Sequence, residues 1–123
     1  MRIFTTLPQE NLAKVGPAAQ AIEATGYTGV STQENKHEPF LSLAVAGAAT
    51  KRIELHTGVA IAFARSLMTV ANVGWDLASS FGGSRVTLGI DMILYFEVSI
   101  SCHASFIMNP KPPHFGQHWR FGF

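Results

Sequence analysis

His114 and His118 stand four residues apart, the spacing at which two imidazoles can share a metal ion on one helix face, with Cys102 and His103 upstream. Pro112, Pro113 and Gly116 break any helix that would align them, and no carboxylate lies near, so no metal site is expected. Cys102 itself falls in an alternating pattern where a thiol packs as a small hydrophobe. The run "FGGSR", Phe81 to Arg85, has the glycines of a phosphate loop but lacks the Lys and Ser/Thr of a Walker motif, and it follows a helical pattern instead of a strand.

Two other stretches hold more. The polar loop "QENKHEP", Gln33 to Pro39, gathers two carboxylates, two amides, an ammonium and an imidazole; the plain expectation for such groups beside a helix start is solvation or capping. In "RIELHTGVAIAFARS", Arg52 to Ser66, Gly58 falls in the middle of a run that otherwise reads as a strand. A glycine weakens a strand unless the backbone must bend there or something must approach it closely.

These residues sit on a regular succession of elements. "RIFTTLP" reads as a short strand closed by Pro8, and Leu12, Val15, Ala19 and Ile22 recur at helical spacing up to Gly26. Pro17 is tolerated only near a first turn, so the regular helix is expected to begin around Gly16. "YTGVST" reads as a second strand, and "EPFLSLAVAGAAT" as a second helix with Pro39 in its first turn. "RIELHTGVAI" reads as a third strand and "AFARS" as a loop. "LMTVANVGWDLASSFGG" is a third helix capped by Ser66 and stopped at Gly82 or Gly83, and "RVTLGI" a fourth strand. The strand ends near Leu7, Val30, Thr57 and Gly89 are 23, 27 and 32 residues apart, the length of one βα unit of a parallel sheet.

That pattern predicts an α/β fold, fitting either a small open parallel sheet or, with polar residues in short loops at the strand ends, about the first four βα units of a partial (β/α)8 TIM barrel over residues 1–90, followed by a divergent tail over residues 91–123. In the tail, Leu94, Phe96, Val98, Ile100 and Cys102 alternate with polar residues, which predicts one amphipathic strand ending at His103. The closing "NPKPPHFGQHWRFGF" reads as irregular.

Composition narrows the partners. With 47% hydrophobic residues the 123-residue chain can bury one core, and a formal charge of +1 with scattered Lys and Arg argues against nucleic acid. No apolar run approaches the roughly 20 residues of a membrane span. One cysteine and no leader-like N-terminus predict a cytoplasmic protein.

The stretch "GYTGVSTQENKHEPFLSLAVAGAATKRIELHTGVAIAFARSLMTVANVGWDLASSFGG" resembles the N-terminal part of the luciferase-like monooxygenase superfamily, most of all its deazaflavin-dependent branch. The resemblance covers about residues 1 to 89, the first four strands of an eight-stranded barrel, and none of the later strands that supply most of the phosphate-tail site. It implies an oxidoreductase passing hydride between reduced FMN or the deazaflavin coenzyme F420 and a small organic substrate. It further implies that "TGV", Thr57 to Val59, carries a bulge with a non-prolyl cis peptide at Gly58–Val59 under the middle ring of the coenzyme. Asn35 and Gly89 would join Thr57, Gly58 and Val59 in holding the coenzyme. His37 would donate a proton, and Glu34 would tune it.

The sequence departs from the family at several points. Lys36 stands about where some deazaflavin enzymes have their histidine, Leu67 replaces a proline, Ser84 interrupts the "GGR" turn, and Ile90 and Asp91 replace the end of a G-x-G. Trp75 and Asp76 match residues that pack the third helix on the barrel, and His56 is read as packed and hydrogen-bonded. Arg65 is read as solvated or as steering an anionic group.

The alternative reading is a truncated, catalytically inactive βα fragment of such an enzyme. Four parallel strands would leave open edges and a barrel-facing surface of Val, Ile and Leu. That surface would pair two half-barrels into a homodimer, or else the tail strand would cover one edge.

Overall fold

The computed structural model describes residues 1–91 and 103–107. Its elements run β1 (Phe4–Thr6), α1 (Leu12–Ala24), β2 (Gly29–Gln33), α2 (Pro39–Ala49) and β3 (Glu54–Val59). A short 3₁₀ turn (Ala62–Ala64) leads to α3 (Leu67–Phe81), β4 (Val86–Asp91) and β5 (His103–Ile107).

Helix α1 starts at Leu12, four residues before Gly16, because the Asn11 side chain accepts the Ala13 N–H at 2.9 Å and supplies the cap. Pro17 therefore lies inside the helix. The chain leaves α1 through Gly26, whose φ of 88° is open to glycine at little cost. Pro39 opens α2 as expected, with the Glu38 carboxylate accepting the Phe40 N–H. Ser66 caps α3 by accepting from Thr69 N at 3.1 Å, and Gly82 closes it.

Strands β1 to β4 pair in sequence order and in parallel; β5 then pairs antiparallel with β4, Asp91 opposite His103 and Thr87 opposite Ile107. The described residues thus form the parallel four-strand, alternating βα portion of a barrel, with one edge covered by a reversed strand. The alternation from Leu94 to Cys102 and the closing irregular stretch lie outside the described residues, as do His114 and His118.

The three helices cover one face of the sheet, as crossover connections of one hand require. Val30, Leu55, Val86 and Leu88 point into that layer and are at most 2% exposed, packed with Val15, Ala19, Leu43 and Ala46. The apolar strand residues are therefore spent on the helices. The other face carries Phe4, Thr6, Ser31, Glu54, His56 and Thr87, exposed or half-buried, which corrects the expectation of a Val, Ile and Leu surface there. On it, Glu54 pairs with Arg2 and with His56, whose Nε2 lies 3.1 Å from Oε2, and the His56 ring packs 4.6 Å from that of Phe4. His56 is thus packed and hydrogen-bonded.

Trp75 is a second correction. Its helix buries Val70, Gly74, Leu77 and Ala78, and Trp75, one residue past Gly74 and so turned about 100° from it, stands 53% exposed instead of packing on the sheet. At the amino-terminal end of the strands, Arg85 donates to Ile53 O at 3.0 Å and to Thr50 Oγ1 at 3.0 Å, so Ser84 does not prevent the turn's arginine from fastening α2 to β3.

Candidate site at the carboxyl ends of the strands

Parallel α/β sheets place their ligands at the carboxyl ends of the strands, where the loops gather. Here the ladder is irregular at that end. Thr32 pairs with Thr57, but Gln33 pairs with Val59, so Gly58 is the extra residue of a bulge. A Cβ on Gly58 would meet Ser31 Oγ at 2.7 Å and Thr32 O at 3.4 Å, so a side chain there would crowd β2 on the open face. This explains the glycine in the strand. The bulge is made without the expected cis bond: the Gly58–Val59 peptide is trans, the extra residue alone supplying the bend.

On the other side of the bulge β3 and β4 are joined by a side chain. The buried Thr57 hydroxyl donates to Gly89 O at 2.9 Å and accepts from Gly89 N at 2.8 Å, while strand pairing proper stops at Thr57 opposite Leu88. On β2, the Gln33 N–H finds the Gln9 side-chain oxygen at 2.9 Å, because Pro8 has ended β1. Side chains therefore continue the sheet where its backbone pairing ceases.

Next to the bulge, the loop after β2 is tied down at both ends. Glu34 N donates to Val59 O at 2.9 Å, and Glu34 Oε2 accepts from Ile61 N at 2.7 Å. The Arg65 guanidinium donates through Nη1 to Glu34 and through Nη2 to Glu38, and lies over the Phe40 ring at 5.3 Å. Burial pushes the Glu34 carboxyl up, but the Arg65 hydrogen bond, the Ile61 N–H and the Arg65 charge outweigh it and hold it below its ordinary value. The Glu34 hydrogen bond in turn raises Arg65 against the effect of burial, with Glu38 adding to it.

Of the residues expected to form the site, the structure brings Glu34, Thr57, Gly58, Val59 and Gly89 together around the bulge. Asn35 and His37 stand exposed in the loop above, with Lys36 between them. Arg65, read from the sequence as solvated or as steering an anionic group, is instead paired with Glu34 and Glu38, its side chain 14% exposed. Among the described residues no group of His, Cys, Asp and Glu could hold a metal ion. A groove of about 410 Å³ runs between α2 and α3, lined by Phe40, Leu41, Val70, Val73 and Phe81, and none of the expected site residues borders it.

Parallel βα units with a polar strand-end site define one segment of a (β/α)8 barrel. The chain matches the luciferase-like monooxygenase family over residues 2–90 and belongs to that family. Uncharacterised proteins of Mycobacterium tuberculosis and Mycobacterium bovis are 43% identical over 90 residues, covering 73% of this chain and 26% of theirs. The chain thus spans about a quarter of the length of the curated relatives it matches. In fold it is similar to the monooxygenase RslO1 from Streptomyces bottropensis, with a TM-score of 0.67 at 19% identity over 77% of this chain and 34% of that one. The coenzyme F420 dependent tetrahydromethanopterin reductase from Methanopyrus kandleri gives a TM-score of 0.64 at 20% identity over 72% and 26%. Among the described residues no helix is long and apolar enough to cross a membrane.

Proposed function

We propose that the chain carries the ring-binding part of an oxidoreductase that uses the deazaflavin F420 or FMN and acts on a small organic substrate. The observation that carries this reading is the bulge at Gly58, which sets bare backbone on the open face directly beside the tethered polar loop. The coenzyme would supply hydride. Gly58 and Val59 would support its ring, Thr57 would keep the Gly89 backbone in place beside it, and Asn35 would hold its polar edge. His37, exposed in the loop between β2 and α2, would donate or accept the proton that accompanies hydride movement. Glu34 is engaged by Arg65, so its contribution is to fix the loop and not to exchange protons.

A second reading has its own support. Strand β5 runs antiparallel along the edge of β4, where a barrel requires a parallel neighbour. On this reading the chain is a catalytically silent βα fragment of such an enzyme, soluble in the cytoplasm and able to pair as a homodimer.

Titration of the purified 123-residue chain with FMN and with oxidised and reduced F420, followed by fluorescence on a sample of mass known from light scattering, separates the two. Saturable binding that Gly58→Val abolishes supports the coenzyme site. A monodisperse sample that binds none of the three supports the silent fragment.

A further inference from the structure

Glu34 and Glu38 stand at the two feet of a three-residue arch, Asn35–Lys36–His37, and both carboxylates close on one guanidinium. The first foot is doubly secured to the end of β3, through Glu34 N to Val59 O and Ile61 N to Glu34 Oε2. The second is the cap of α2, where Glu38 Oε1 accepts the Phe40 N–H while Oε2 takes Arg65. Arg65 also donates to Ile61 O at 3.2 Å and stacks over Phe40, so its position is set from both sides. The arch itself holds one backbone bond from its own residues, Asn35 N to Gln33 O at 3.2 Å. Its shape therefore depends on its feet.

We propose that Arg65 is a positioning residue for this site: by clasping Glu34 and Glu38 together it sets where the arch presents His37 beside the Gly58 bulge, without touching a ligand itself. The inference rests on the coenzyme reading above for its functional consequence, though not for the clasp. Only a guanidinium suits the task, because its planar fork serves two carboxylates at once from one partly buried position, whereas a lysine ammonium is a point charge on a flexible stem.

The test uses the full chain in four forms: wild type, Arg65→Met, Arg65→Lys and Glu38→Gln, with Leu43→Ala as a control that weakens the core away from the arch. Glu38→Gln loosens one foot from the exposed side and leaves the Arg65 packing intact, so it reports even where Arg65→Met does not fold. Amide hydrogen exchange at Glu34 and Asn35, whose N–H groups bond Val59 O and Gln33 O, is expected to rise about tenfold in Arg65→Met and by less in Glu38→Gln and Arg65→Lys, with α1 unchanged. The dissociation constant for FMN or F420 is expected to rise by about tenfold in Arg65→Met, with Arg65→Lys giving partial rescue. Leu43→Ala should lower the melting temperature while leaving loop exchange relative to the rest of the chain unaltered. Unchanged exchange at Glu34 and Asn35 in the clasp variants, or ligand affinity equal to wild type in them, overturns the inference. Faster exchange in a chain whose wild type binds neither coenzyme supports the clasp and overturns the coenzyme reading instead.

Discussion

Replacing Glu23 should expose how the amino-terminal end of the sheet is held. Glu23, in the last turn of α1, accepts three backbone N–H groups on one oxygen, from Lys51 at 3.0 Å, Arg52 at 2.6 Å and Ile53 at 3.2 Å. Burial pushes its carboxyl up, but these N–H groups and the Arg52 charge prevail and hold it below its ordinary value of 4.5. The cost of Glu23→Ala is not three times that of one bond, since Lys51 and Arg52 are exposed and water can take their N–H groups, whereas Ile53 is 2% exposed. One charge-assisted bond to a buried donor sets the scale, about 1.5–3 kcal/mol. Glu23→Gln keeps an acceptor and should lose about half of that. Because the folded carboxyl is lowered, its stabilisation is present above the unfolded value and is lost as pH falls through the folded one. Urea unfolding followed by circular dichroism should therefore show a gap between wild type and Glu23→Gln that is full at neutral pH and closes in acid below 4.5. Glu34 shifts in the same direction but is present in both proteins and cancels from the difference. A gap that does not change with pH, or a Glu23→Ala cost below about 0.5 kcal/mol, would refute the reasoning.

Two further substitutions probe the core and the strand ends. Thr57→Val keeps the shape but leaves the buried N–H and C=O of Gly89 without their hydroxyl partner; a loss of about 2 kcal/mol in urea unfolding is expected, with exchange at Gly89 accelerated. Leu43→Ala empties a fully buried position between α2 and the sheet and should cost about 2–5 kcal/mol, read as a lower melting temperature at unchanged far-ultraviolet dichroism.

The succession of elements was legible because each carried its own punctuation: Pro8, Gly26, Pro39, Ser66 and Gly82 all stand at or beside element ends. The start of α1 was not, because Pro17 points to a later first turn, whereas the asparagine cap at Asn11 settles where the helix begins. The strand faces were misjudged for a related reason. Alternation tells that Leu55 and His56 point opposite ways, but only the placement of three helices on one side shows that the apolar set is already covered. At the site, Gly58 was recognisable as a place where backbone must bend, and the bulge is there. Arg65 escaped because its partners are 31 and 27 residues away in sequence, and nothing local distinguishes a clasped arginine from a solvated one.

The reversed strand has a consequence for how the sheet can grow. Along β4 the edge is taken by β5, and a chain arriving there must either pair with β5 or displace it. At the opposite rim β1 is three residues long and is followed at once by Leu7 and Pro8, the latter with no N–H to offer. At the β1 rim stray segments thus meet almost no backbone to template them, so growth of the sheet by edge pairing is confined to the β5 side.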